Sequence, residues 1–260
     1  METGFSFASV ILSYFLVGGG MFTATLVGRQ LPLSSAIAVG GVLTAGAFVG
    51  GFVAARASRG QTILEPVIGA IAVIGTIVAL AAATPLGKLI WAIAEDQTMK
   101  FVGAVGATGI VGALIGAFLG EKLFGEATQS SIPWLAYAAL SVFGANLLAR
   151  LFASIVVFGR VEIEQRYTTL DLGQVLLIGI GAGCLLAGLA IGASARTRPL
   201  FASLLGGGIG VAGFFALVTR THPPDKDAVT GLALLAAGGA LVTLIGTGLG
   251  WSMFGRRGAA

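Results

Sequence analysis

The feature that most constrains this chain is the recurrence of apolar runs about 20 residues long, the length a helix needs to cross roughly 30 Å of hydrocarbon. Eight such runs follow one another, separated by short polar or proline-marked breaks. Charged residues make up 10% of the chain and hydrophobic residues 56%, against about a quarter charged in a soluble domain. The longest break, Gly159 to Asp171, is too short to hold a soluble domain. The expected fold is all-α, a polytopic membrane bundle of about eight transmembrane helices.

The first helix is expected from about Phe5 to Val27 and the second from about Ser34 to Ala55, with Pro32 interrupting helical hydrogen bonding between them. A third begins near Ile63, where Pro66 fits the first turn, and ends near Thr84. In the break that follows, Leu86, Leu89, Ile90 and Ile93 recur at helical spacing beside Trp91, Lys88, Glu95 and Asp96. That pattern predicts a short interfacial helix. Later helices are expected over about Phe101–Gly120, Ile132–Phe158, Leu172–Ala195, Pro199–Val218 and Val229–Phe254. The N-terminal METGFSFASV lacks the basic region and cleavage site of a signal peptide, so the first helix is expected to be retained.

Glycines punctuate the even-numbered helices in a common way. Gly46 and Gly50, Gly116 and Gly120, Gly188 and Gly192, and Gly246 and Gly250 are each four residues apart, and a basic residue follows each pair. Such spacing puts both glycines on one helix face, where a second backbone can approach closely in lipid. The stretch Ala45–Ala70 ends its glycine helix in a loop with Arg56 and Arg59, and a related pattern returns with Gly188, Gly192, Arg196 and Arg198. Residues 1–131 and 132–260 are accordingly expected to be two four-helix repeats. Four crossings return a chain to its starting side, so the repeats would share one orientation, about an axis along the membrane normal.

Basic flank residues number seven on each side of the membrane and do not orient the chain. Acidic residues cluster on the side of Glu95, Asp96, Glu162, Glu164, Asp171, Asp225 and Asp227, and the opposite loops are shorter. Both termini are expected in the cytoplasm of a bacterium, with the chain in the inner membrane. Net charge is +4, but the basic residues stand singly or in pairs at the ends of apolar runs and form no nucleic-acid stripe.

At GGFVAARASRGQTILEPVIGA and GALIGAFLGEKL the chain resembles small glycine-rich bacterial membrane proteins of four helices and uncharacterised function, here duplicated. The resemblance implies a helical membrane fold and supplies no catalytic residue.

Candidate chemistry is sparse. Asn146, Arg150 and Ser154 are spaced four apart and share one face. A charge within a span costs from about 2.5 kcal/mol upward and marks a binding stripe or partner contact, unless Arg150 lies at the membrane exit and snorkels. Glu65 precedes Pro66 at a helix start, where the helix dipole favours a carboxylate and where Arg56 or Arg59 is available for an ion pair. Thr23, Thr44, Thr76, Thr108 and Thr243 are expected to bond their own backbones. Cys184, the single cysteine, is expected as a small core residue. His222, the single histidine, sits in a loop with Asp225 and Asp227, a set too small to hold a metal. Gly206, Gly207, Gly208 and Gly210 lack the Lys and Ser or Thr of a phosphate loop, so close packing is expected there.

No nucleophile with a base and no metal set emerges, so no catalytic residue, cofactor or enzymatic activity is expected. The expected function is that of a membrane subunit, scaffold or assembly factor packing against partner helices through glycine-rich faces. The alternative is a small-solute, ion or lipid transporter or channel binding between the repeats. Expected partners are membrane lipids and other membrane subunits, with self-association also open, and not nucleic acid.

Overall fold

Each apolar run forms one helix, because hydrocarbon offers a backbone no water and every amide must bond within its own segment. In a computed structural model, which describes residues 5–28, 36–57, 63–83, 95–124, 131–161, 172–195, 199–218 and 226–254, these are α1 (Phe7–Gly28), α2 (Ala36–Ala57), α3 (Leu64–Ala83), α4 (Glu95–Phe124), α5 (Ser131–Val161), α6 (Leu172–Ser194), α7 (Leu200–Val218) and α8 (Lys226–Phe254). Pro66 lies in the first turn of α3. Pro199 directly precedes α7, and its carbonyl accepts the Ser203 N–H at 2.8 Å.

The clearest departure from expectation is α4. It begins at Glu95 instead of near Phe101 and continues to Phe124. Its first residues, 95–100, read EDQTMK and lie ahead of the apolar run. Hydropathy reports where a span enters hydrocarbon, whereas backbone helix can extend beyond it into polar sequence. The expected interfacial helix falls mostly on residues 84–94, outside the described residues.

Five helices are long and apolar enough to cross a membrane, over Phe7–Ala24, Gly40–Ala57, Val102–Leu123, Gln174–Ser194 and Val229–Phe254. Shorter apolar helical stretches cover Leu64–Ala79 and Leu200–Ala216. No strand occurs among the described residues.

The helices pack in a simple order. α2 lies against α1 and α4, and α3 also touches α1 and α4. Further along the chain, α6 lies against α5 and α8, and α7 also touches α5 and α8. The closest associations are α2 with α4 and α6 with α8. Between these groups α1 is the hub, packing on both α5 and α6. α1 and α5 run parallel: Leu12 and Leu16 share a buried cluster with Tyr137 and Ala138, Phe15 joins Val142 and Phe143, and Gly18 lies against Leu148.

Midway along this seam Gly19 faces Gly144. A methyl group on Gly19 would stand 3.0 Å from the Gly144 Cα, and one on Gly144 would stand 2.9 Å from the Gly19 Cα. Both distances are shorter than a real carbon–carbon contact, so the two backbones touch because neither residue has a side chain.

Candidate functional site

The eight glycines of the four pairs all lie in helix-to-helix contacts inside the bundle. Gly46 and Gly50 fit against α1, at Gly20 and at Leu16 and Val17. Gly116 and Gly120 take Phe48 and Phe52 of α2. Gly188 and Gly192 meet Thr243 and Thr247 of α8, while Gly246 and Gly250 meet Leu185 and Leu189 of α6. Added carbons at these positions would strike backbone atoms that cannot swing aside, so each glycine sets an interaxial distance. A glycine outside the pairs, Gly51, does the same work between α2 and α4, where a methyl would stand 2.8 Å from the Ala113 Cα. The Gly206, Gly207 and Gly210 run packs on Ala138, Thr243 and Ala139.

Polar side chains collect at two levels. At one end of the bundle, Ser6 precedes α1 and its Oγ accepts the Ser9 N–H at 3.3 Å, as an N-cap does. The Ser6 N–H itself donates to Glu65 Oε1 at 2.7 Å. In a capping box a Glu or Gln three residues along the same helix makes that second bond. Here the carboxylate comes from the first turn of α3, and Glu65 is fully buried. Arg56, in the last turn of α2, lies near enough to Tyr137 of α5 to bear electrostatically on its phenol. Arg59 lies outside the described residues, as do His222 and Asp225.

The second level is at mid-depth. Asn146 occupies the midpoint of α5 and is fully buried. Its Nδ2 donates to the Val142 carbonyl at 2.8 Å and to Cys184 Sγ of α6 at 3.7 Å. Cys184 is also within hydrogen-bonding reach of Thr243 of α8, whose hydroxyl donates to the Gly239 carbonyl at 2.7 Å. Both Nδ2 protons are thus engaged, while Oδ1 meets no donor among the described residues.

The stripe of Asn146, Arg150 and Ser154 does not form one polar surface along its described part. Asn146 faces the interior and Arg150 is exposed. Arg150 lies less than two turns beyond Gly144, level with about Thr25 and within one turn of the end of α1 at Gly28. The side chain of Ser154 lies outside the described residues. The five span threonines each donate to the carbonyl four residues earlier, at 2.6 to 2.9 Å. Thr76 also accepts the Tyr14 hydroxyl at 3.3 Å.

No protein-family model, curated protein or solved structure matches the chain.

Sequence reasoning singled out Asn146 and Glu65 but missed their partners. The Ser6 to Glu65 bond joins α1 to α3, and the Asn146, Cys184 and Thr243 group draws on three helices. A polar residue amid each of three apolar runs was the available signal. Cys184 and Thr243, taken one at a time, read as packing residues.

Proposed function

We propose that the chain is an integral membrane subunit or assembly scaffold without catalytic activity, built as two four-helix units of one orientation, residues 1–131 and 132–260. Eight spans in a bacterial inner membrane, with both termini in the cytoplasm, complete this reading.

The duplication is supported by paired contacts. Gly51 meets Ala113 and Gly188 meets Thr243; Gly116 meets Phe48 and Gly246 meets Leu185; Gly120 meets Phe52 and Gly250 meets Leu189. Gly69 meets Ser13 and Tyr14, and Gly206 meets Ala138 and Ala139. Gly46 meets Gly20, and Gly183 meets Ala145. One constant sequence shift for each helix carries every member of these pairs onto its counterpart. The same shift carries Gly19 onto Gly144, so that contact would lie on the pseudo-twofold axis. The sequences LIGAFLG (114–120) and LIGTGLG (244–250) agree under it. In this register the counterpart of Gly188 is Gly51, and that of Gly46 is Gly183.

The observation that carries the scaffold role is the outer face of α8. The paired glycines are consumed inside the bundle, yet a carbon on Gly231 or Gly238, seven residues apart, would have nothing within 4 Å among the described residues. They share a face with the exposed Leu234, Leu241, Ile245 and Leu249. A glycine facing lipid costs helix propensity with no packing in return, whereas under a partner helix it permits close approach. Purification from native membranes in mild detergent tests this: a stoichiometric companion membrane protein is expected, and Gly238→Leu should release it without unfolding the chain. A chain that runs alone and monodisperse would overturn the role.

Transport of a small solute, ion or lipid is the second reading, favoured by the mid-depth polar group at Asn146. That group lies inside the second unit, whereas the seam between units is filled at mid-depth by Gly19 and Gly144.

A further inference from the structure

The two halves differ in polarity at one level where their packing agrees. Under the helix-by-helix correspondence, Asn146, Cys184 and Thr243 stand where the first half has Met21, Ala47 and Ala113. Those three share one dry apolar cluster with Val17, Ala70 and Val73. The same framework therefore packs well without polar atoms at this depth, and the second half carries three of them. Their hydrogen bonds run in one direction. The Asn146 carboxamide donates to Val142 O and Cys184 Sγ, and the Thr243 hydroxyl donates to Gly239 O. What is left is an acceptor, Asn146 Oδ1, on a fully buried side chain with no donor among the described residues. A buried acceptor without a partner is costly, and in native proteins such a group is ordinarily met by an internal donor with two or more polar neighbours.

We propose that Asn146, Cys184 and Thr243 form a binding site, inside the second four-helix unit, for one small hydrogen-bond donor of the size of water or ammonium. Asn146 Oδ1 accepts from it, beside the contact that the same carboxamide makes with Cys184. The first unit has no equivalent site, because Met21, Ala47 and Ala113 offer no hydrogen-bonding acceptor beyond a thioether. The inference uses the correspondence between halves to choose its variants, but the site stands on the Asn146 geometry alone.

The single cysteine makes the site directly observable, since its S–H stretch is the only thiol band in the infrared spectrum. The full-length protein in lipid nanodiscs is transferred to D2O. A donor that exchanges with bulk should convert the Cys184 S–H band to S–D in the folded protein, and Asn146→Met, which installs the counterpart residue, should abolish that conversion. Persistence of the S–H band in the parent protein overturns the proposal, as does equal exchange in N146M. Should N146M fail to fold, the parent protein suffices with a second measurement, a cross-relaxation peak between a water or ammonium proton and the Asn146 side-chain amide; its absence overturns the site. Ammonium chloride against choline chloride at fixed pH separates the two donors. A shift of the Asn146 carboxamide resonance with ammonium alone assigns the site to the cation, and an unchanged resonance beside a water cross-peak assigns it to water.

Discussion

Glu65, in the first turn of α3, accepts the N–H of Ser6 at 2.7 Å, so one buried carboxylate closes the start of a helix 59 residues earlier in the chain. The bond fastens α1, the hub of the bundle, to α3 at the same level as the Ser6 to Ser9 cap. Removing the acceptor leaves the N–H of the half-buried Ser6 without this partner and frees the first turn of α1.

Glu65→Ala is expected to destabilise the protein by about 1–2 kcal/mol, the net contribution of a hydrogen bond that a half-buried donor can partly replace with water. Glu65→Gln keeps an acceptor oxygen in place and should cost less. Hydrogen exchange measured by mass spectrometry should localise the effect, with faster exchange over residues 7–12 in E65A. Unchanged exchange there would mean that the bond does not hold the helix start.

Gly144→Leu should be far more damaging than Gly75→Leu. A carbon on Gly144 meets the backbone of Gly19, whereas nothing lies within 4 Å of a carbon on Gly75. Overpacking against rigid backbone typically costs about 1–3 kcal/mol, and the nearest atoms around a carbon on Gly144 are all backbone. Reversible unfolding in mixed micelles, with each variant compared with the parent, measures the difference. Equal tolerance at both sites would show that α1 and α5 do not meet as described.

Arg150→Leu is expected to leave stability within about 0.5 kcal/mol of the parent, as for exposed substitutions away from packed features. Arg150 is exposed near the level where α1 ends, a depth from which a long cationic side chain can reach the interface. Abundance and insertion of R150L check this. Normal insertion accompanied by loss of the companion protein would instead assign Arg150 to partner binding.

Most of the fold was legible because a span announces itself locally. Leu172–Ser194 and Leu200–Val218 begin and end within a residue or so of the apolar runs that predict them. The start of α4 was less legible, since its first turn and a half, EDQTMK, is mostly polar and lies outside the apolar run. Glycine spacing told that close contacts exist without telling which helix each would meet: Gly46 and Gly50 turn to α1, while the neighbouring Gly51 turns to α4. Asn146 and Glu65 stood out as polar residues in apolar surroundings, but their partners lie on other helices, and no spacing along one helix can reveal a meeting of three.

The seam through Gly19 and Gly144 leads to the most demanding expectation. The peptide between Phe124 and Ser131 joins α4 to α5, two helices that make at most marginal contact with each other. Helices α1–α4 pack among themselves, as do α5–α8, and α1 carries most of the contact between the two sets. A chain divided between residues 127 and 128 should therefore reassemble when both pieces are made together, because the contacts of α1 with α5 and α6 do not depend on the covalent link. Co-purification of the two pieces through a tag on one of them measures this, and Gly144→Leu in the second piece should abolish it by prising α5 from α1. If both pieces insert and remain apart even with glycine at 144, the seam is held together by the covalent link alone, and the backbone contact at its centre contributes little to the assembly.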